Sequence, residues 1–246
     1  MYMLDLLVEG FPAISRTHGG LGWSSVSLLH DGQRRVLVET GPPAYIPLLH
    51  ERLGRLGITA DEITHVLVTH LHWDHVGNFT MFPGAQVLVS ETEMDWAAAQ
   101  PPGTTFVPDL HVRELANGRR DVRLVRGDQE VLPGIFSIDT PGHTPGHIAF
   151  RTETPTGTVL FAGDSVKNRY ELGTETAAST MDAAAGVASI RKLKSLMEAD
   201  KSVIMVPGHD VPLKIVGGQV TALMEQEADL AVYLNATDDP VRLQID

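Results

Sequence analysis

The chain has 246 residues, of which 43% are hydrophobic, with 31 acidic against 19 basic side chains, a formal net charge of −12 and no cysteine. That acidity leaves no excess of positive charge for a phosphate backbone, which argues against a nucleic-acid partner. Without cysteine there are no disulfides, thiolate ligands or thiol catalysis. The apolar fraction suits a substantial core, and no linker or low-complexity tract divides the chain, so one domain over residues 1–246 is predicted. Residues 1–10 lack both a basic start and an uninterrupted apolar core. They read as a first strand rather than a leader, and no apolar run is long enough to span a bilayer. The expectation is a cytoplasmic protein with no membrane partner.

In chain order, strands are predicted at 2–8 and 24–29, with a glycine-rich loop at 15–23. His18 and Trp23 lie in or beside that loop, either at a cleft mouth or in an ordinary exposed connection. The next strand, 35–39, follows an Asp31-Gly32 turn. Ile46, Leu49, Leu53 and Leu56 fall at helical spacing, and Gly57 ends that helix. Thr59 to Glu62 fits a capping box. His50 and His65 read as structural.

The stretch 63–68 is β-branched and apolar enough to be a buried strand, and it runs straight into Thr69-His70-Leu71-His72-Trp73-Asp74-His75. Three imidazoles and a carboxylate within six residues are hard to explain as packing. In extended chain, positions i and i+2 point the same way, so His70 and His72 converge on one metal. A turn then brings Asp74 and His75 round to a second position.

Further on, a strand is predicted at 86–90 and a helix at 91–99. Residues 100–122 look irregular, which suits a substrate lid or a surface excursion. Three later stretches offer ligand types. Residues 140–147 form a turn-rich loop holding His143 and His147; 160–164 is an apolar strand ending at Asp164; 203–209 is a strand that stops at a Pro-Gly turn and presents His209. The segment leaving Asp164 carries Lys167, placed to stabilise an oxyanion or bind a substrate carboxylate, and Tyr170, placed to hydrogen-bond a carbonyl oxygen. The alternative is that Lys167 and Arg169 only balance an acidic surface. Helices are predicted at 183–199 and at 218–234, followed by a peripheral tail at 238–240.

These motifs, from about Val36 to about Pro212 and in this order, resemble the metallo-β-lactamase superfamily of metal-dependent hydrolases. The resemblance implies an αββα four-layer sandwich, two mixed β-sheets flanked by helices, with the site along one edge. It implies one metal position formed by His70, His72 and His143, a second formed by Asp74, His75 and His209, and Asp164 bridging them. Position in the motif favours His143 over His147, which is left a supporting role. One departure is Glu39-Thr40-Gly41, where the family commonly has Asp-Thr-Gly; a glutamate there still accepts hydrogen bonds, but its partner is open.

Five imidazoles and two carboxylates suit two zinc ions, with iron or manganese also accepted by such N/O ligands. The implied reaction is attack by a metal-bridging hydroxide on a small-molecule ester, lactone or thioester, with Asp74 as the catalytic proton shuttle. On the same scaffold an iron-dependent persulfide dioxygenase, a β-lactamase or a phosphodiesterase are the alternatives. The oligomeric state is open, a homodimer being one option.

Overall fold

Period-two alternation along the strands sets the layers of this protein. The computed structural model describes residues 1–15, 17–226, 228–232 and 241–245. After β1 (Met3–Val8), a short ribbon of β2 (Ile14–Ser15) and β3 (Gly19–Gly20) leads to β4 (Val26–His30), β5 (Arg35–Val38), β6 (His65–Leu67), β7 (Gln86–Ser90) and β8 (Val122–Val125). Strands β1 and β4 to β8 form a six-stranded sheet in that order. It is antiparallel as far as β5 and parallel from β5 to β8.

The second sheet contains β9 (Glu130–Leu132), β10 (Ile135–Asp139), β11 (Ile148–Thr154), β12 (Gly157–Gly163), β13 (Ile204–Pro207), β14 (Leu213–Val216) and β15 (Gln219–Ala222). Its seven strands lie in chain order, and β12 and β13 are parallel. A separate antiparallel pair, β16 (Ala228–Val232) and β17 (Val241–Ile245), follows.

The sheets pack face to face. Leu29, Val36, Val38, Leu67 and Leu88 of the first sheet meet Phe150, Val159, Phe161 and Val206 of the second in one buried cluster. Their neighbours in sequence face outward. Leu28, Leu37, Val66 and Val87 pack under α1 (Ile46–Arg55) and, past the one-turn α2 (Trp73–Val76), under α3 (Glu91–Ala98) and α4 (Asp109–Ala116). On the other side, Ala149, Leu160 and Met205 pack under α5 (Arg169–Thr174) and α6 (Ala183–Ala199), the latter through Ile190, Leu193 and Met197. The result is the anticipated αββα sandwich. No described helix is long and apolar enough to cross a membrane.

Two expectations need correction. The stretch 100–122 is not irregular throughout: α4 forms in it because Val112 and Leu115, three apart, bury one narrow face. With two buried positions the periodicity is too short to stand out in sequence. The helix expected at 218–234 is also wrong over its described part. Gly217 and Gly218 both take positive φ, 59° and 82°, and close a two-residue hairpin that pairs Val216 with Gln219. The chain returns as β15, then as β16. Residues 233–234 and the 238–240 tail lie outside the described residues.

Candidate metal centre

The carboxyl ends of the strands nearest the middle of both sheets carry the site. The loop after β6 holds His70 and His72, and α2 follows at once with Asp74 and His75. Strand β12 ends before Asp164, β13 ends before His209, and the β10–β11 loop supplies His143. Sites at the carboxyl ends of parallel strands are a general property of such sheets.

The fold brings all seven of these side chains together. His70, His72 and His143 each offer a ligand atom within 4.8 Å of the others, as do Asp74, His75 and His209. Asp164 forms a third such set with His70 and His75, one member of each group. Its Oδ1 lies 3.2 Å from Nε2 of both His75 and His209, and its Oδ2 lies 3.3 Å from His143 Nε2. Six of the seven are buried, and His209 is partly exposed.

The donor chemistry fits divalent metal ions. His70 Nε2, His75 Nε2 and Asp164 Oδ1 are fully buried yet have no hydrogen-bond partner. Leaving such atoms unpaired is costly, and a cation among them would satisfy all three. Burial pushes His72 down to about 4 and holds His70 and His143 well below the usual imidazole range, which favours the neutral, metal-binding form. For His75 burial acts in the same downward sense, but the carboxylates of Asp74, Asp164 and Glu39 together outweigh it and raise the group. His209 is likewise raised by Asp164 against the effect of burial.

Orientation comes from around the cluster. His143 donates through Nδ1 to the Ser179 carbonyl at 2.9 Å, which turns Nε2 inward. His70 Nδ1 lies 3.0 Å from Thr69 Oγ1. His147 bonds Thr140 Oγ1 and accepts from the Ser165 N–H, so its ring is occupied outside the cluster.

Glu39 finds its partners here. Oε1 accepts the Thr69 N–H at 3.0 Å, and Oε2 lies 3.5 Å from His75 Nδ1. Its backbone sits at φ 66°, a left-handed value uncommon for a residue other than glycine. The extra methylene lets one carboxylate reach both groups. Glu39→Asp is therefore expected to weaken metal binding about 10-fold, the lower range for groups that orient ligands. Chelator competition would read this, and unchanged affinity would remove Glu39 from the site.

Above the cluster lies a cleft of about 680 Å³. His72, Asp74, His143, Asp164 and His209 form its base, while Phe11, Ile14, Trp73, Trp96, Phe106 and Met181 supply apolar walls. Part of the anticipated lid does line it: Gln100 and Thr104 to Phe106 reach the cleft, and the Phe106 carbonyl accepts the Trp73 N–H at 3.0 Å. That bond ties the wall to the ligand-bearing α2. The 11–14 lip and Met181 are not legible in sequence because they follow neither helical nor strand periodicity.

The two residues expected to touch substrate behave differently. Lys167 lines the cleft, but its Nζ donates to Ala178 O at 2.8 Å and Asp164 O at 3.3 Å and lies 3.5 Å from Glu171 Oε1. The ammonium is thus engaged by protein oxygens. Tyr170 does not line the cleft: it is 64% exposed, on the solvent face of α5, whose buried face is Glu171 and Leu172. The helix begins at Arg169, so the chain has already turned away from the site. His18 is exposed and bonds Thr17, and Trp23 packs edge-on against Phe11 behind the lip.

Comparison with known proteins gives four findings beyond this geometry. The sequence profile of the Metallo-beta-lactamase superfamily matches residues 19–209. An N-acyl homoserine lactonase of Bacillus thuringiensis is 29% identical over 160 residues, 65% of this chain and 60% of that protein. Human metallo-beta-lactamase domain-containing protein 1 is 31% identical over 199 residues, 80% of this chain and 66% of that one. Among solved structures, a variant of B. thuringiensis AiiA with N-decanoyl-L-homoserine bound at its active site superposes with TM-score 0.68. At 24% identity, covering 85% of this chain and 93% of that one, it speaks to the fold alone.

Proposed function

The chain belongs to the metallo-beta-lactamase superfamily, and from that premise we propose that it is a dinuclear metal hydrolase acting on small, uncharged lactones, esters or thioesters. In this reading residues 1–246 work as one domain. His70, His72 and His143 would hold one ion and Asp74, His75 and His209 the other, with Asp164, which groups with His70 and His75, between the two sets. Zinc suits this set of imidazoles and carboxylates. Bound ions of this kind polarise a carbonyl and make an activated water available at neutral pH.

The chain's own groups do the rest. The Asp74 carboxylate lines the cleft and lies 3.4 Å from His209 Nε2, so it is placed to take a proton from the attacking water and pass it to the leaving group. Trp73, Phe106 and Met181 receive the hydrocarbon part of the substrate and exclude bulk water.

The observation that carries the substrate class is the charge of the lining. Among the described lining residues, Lys167 is the one lysine or arginine, and its ammonium is already engaged. Away from the metal position, the carboxylates of a glutathione conjugate or of another anionic ester would meet no free lysine or arginine among the described lining residues and would be desolvated without a partner. The Bacillus relatives are named for N-acyl homoserine lactones, which are uncharged and carry an apolar chain. Such a lactone is the first compound to assay. Metal-replete protein is expected to favour it over anionic esters by roughly 100-fold or more in kcat/KM, as an unpaired buried charge implies. Equal or better turnover of the anionic compounds would overturn the reading.

A further inference from the structure

Glu93 belongs to none of the seven-residue cluster, yet it is fully buried on the third position of α3, directly behind the loops that carry the histidines. Its two carboxylate oxygens reach different loops. Oε1 accepts the Leu71 N–H at 2.9 Å, between His70 and His72. Oε2 accepts the Gly146 N–H at 3.2 Å, in the loop that carries His143. The contact is close on the backbone side too. A Cβ placed on Gly146 would stand 2.0 Å from the Glu93 nitrogen and 2.5 Å from its Cα. No side chain fits between the loop and the start of the helix, so glycine is required there.

We infer that Glu93 is a positioning residue for the three-histidine metal position, clamping the His70–His72 loop to the His143 loop through their backbone N–H groups. The inference rests on the metal-site reading above. Burying a carboxylate is unfavourable unless its oxygens are well used. Burial pushes Glu93 up to about 7, against the Leu71 N–H, the Thr144 hydroxyl and the Gly146 N–H, which pull it down. A third-position carboxylate is also favoured by the positive end of its helix. The carboxylate's hydrogen bonds go only to the two ligand-bearing loops, while the Glu93 backbone N–H donates to the helix cap Ser90 Oγ.

The test uses Glu93→Gln, which keeps shape but offers one acceptor to two donors, so one loop must face an amide N–H. In wild-type protein loaded with zinc, stoichiometry and the rate of release to a colorimetric chelator are measured first. If wild type holds no metal, the metal-site reading itself fails, independently of Glu93. With two ions bound, E93Q is expected to release one of them about 10- to 100-fold faster, the range for residues that orient ligands, and the other at the wild-type rate. Met94→Ala is the control, because Met94 is buried on the same helix but bonds neither loop. It should lower the melting temperature without changing release. Wild-type release from E93Q would overturn the inference, and so would equal acceleration in M94A. If E93Q does not fold, Glu93→Asp, which keeps the charge but is too short for both loops, is read by the same two outcomes.

Discussion

Asp74→Asn is expected to fold normally and to lose about 10²- to 10⁴-fold in kcat, the contribution typical of a positioned proton-transfer group. The substitution preserves shape, and Asp74 belongs to the cluster and lines the cleft beside His209 and His75. Asparagine cannot accept a proton at neutral pH. It also removes a negative charge from beside His75, whose raised position depends first on Asp74 among the groups that oppose burial. Metal content measured alongside kcat separates the two roles. A variant that keeps both ions and loses turnover assigns Asp74 to proton transfer. One that loses an ion assigns it to coordination, and unchanged turnover would remove it from the mechanism.

Asp164→Ala should have the larger effect on the metal-loaded state. This one carboxylate lies 3.2–3.3 Å from Nε2 of His75, His209 and His143, drawn from three separate segments of the chain. Burial alone would raise its pKa, but His209, His75 and His143 hold it well below the usual carboxylate range. Without it the two histidine groups lose the member they share, and binding of both ions should weaken by at least about 100-fold. Linkage turns this into a stability difference. Metal at 100 times its Kd stabilises a folded protein by about 2.7 kcal/mol per site, so each ion stripped from wild type should cost about that much. For a chain of this size that is roughly 5–11 °C in Tm. D164A should show little Tm response to chelator and no measurable turnover. A full metal complement in D164A would show that Asp164 is not shared between the ions.

The lining sorts substrates in the same physical terms. Lys167 had the residue type of an anion-binding group, but its surroundings make it a brace. Its ammonium holds Ala178, and Ala178 adjoins Ser179, whose carbonyl orients His143. Glu171 completes that wall by accepting the N–H groups of both Lys167 and Ala178. The lysine thus serves the imidazole geometry from behind, leaving the described walls above the ligand-bearing base without a free lysine or arginine.

What the sequence alone determined was local and chemical. The run from His70 to His75 needs only the strand before it and the turn within it to present four polar groups at one place. Asp164 and His209 could be read because each sits where an apolar strand breaks, and α6 because 17 residues give the helical period room to show. The tertiary structure decided what depends on contact between distant segments. Glu39 acquires a role only when β5 and β6 lie side by side and Thr69 and His75 come within reach of one carboxylate. Glu93 looks like an ordinary acidic residue at a helix start until its helix meets the Leu71 and Gly146 loops. Tyr170 loses its expected place because α5 rotates it to solvent, and the chain after Gly217 pairs as strands because a two-glycine turn folds it back on β14. Period and residue type are carried within a few neighbouring residues. Hydrogen-bond partners, burial and the charge of a cleft are set by residues dozens of positions apart, and only the packed sheets bring those together.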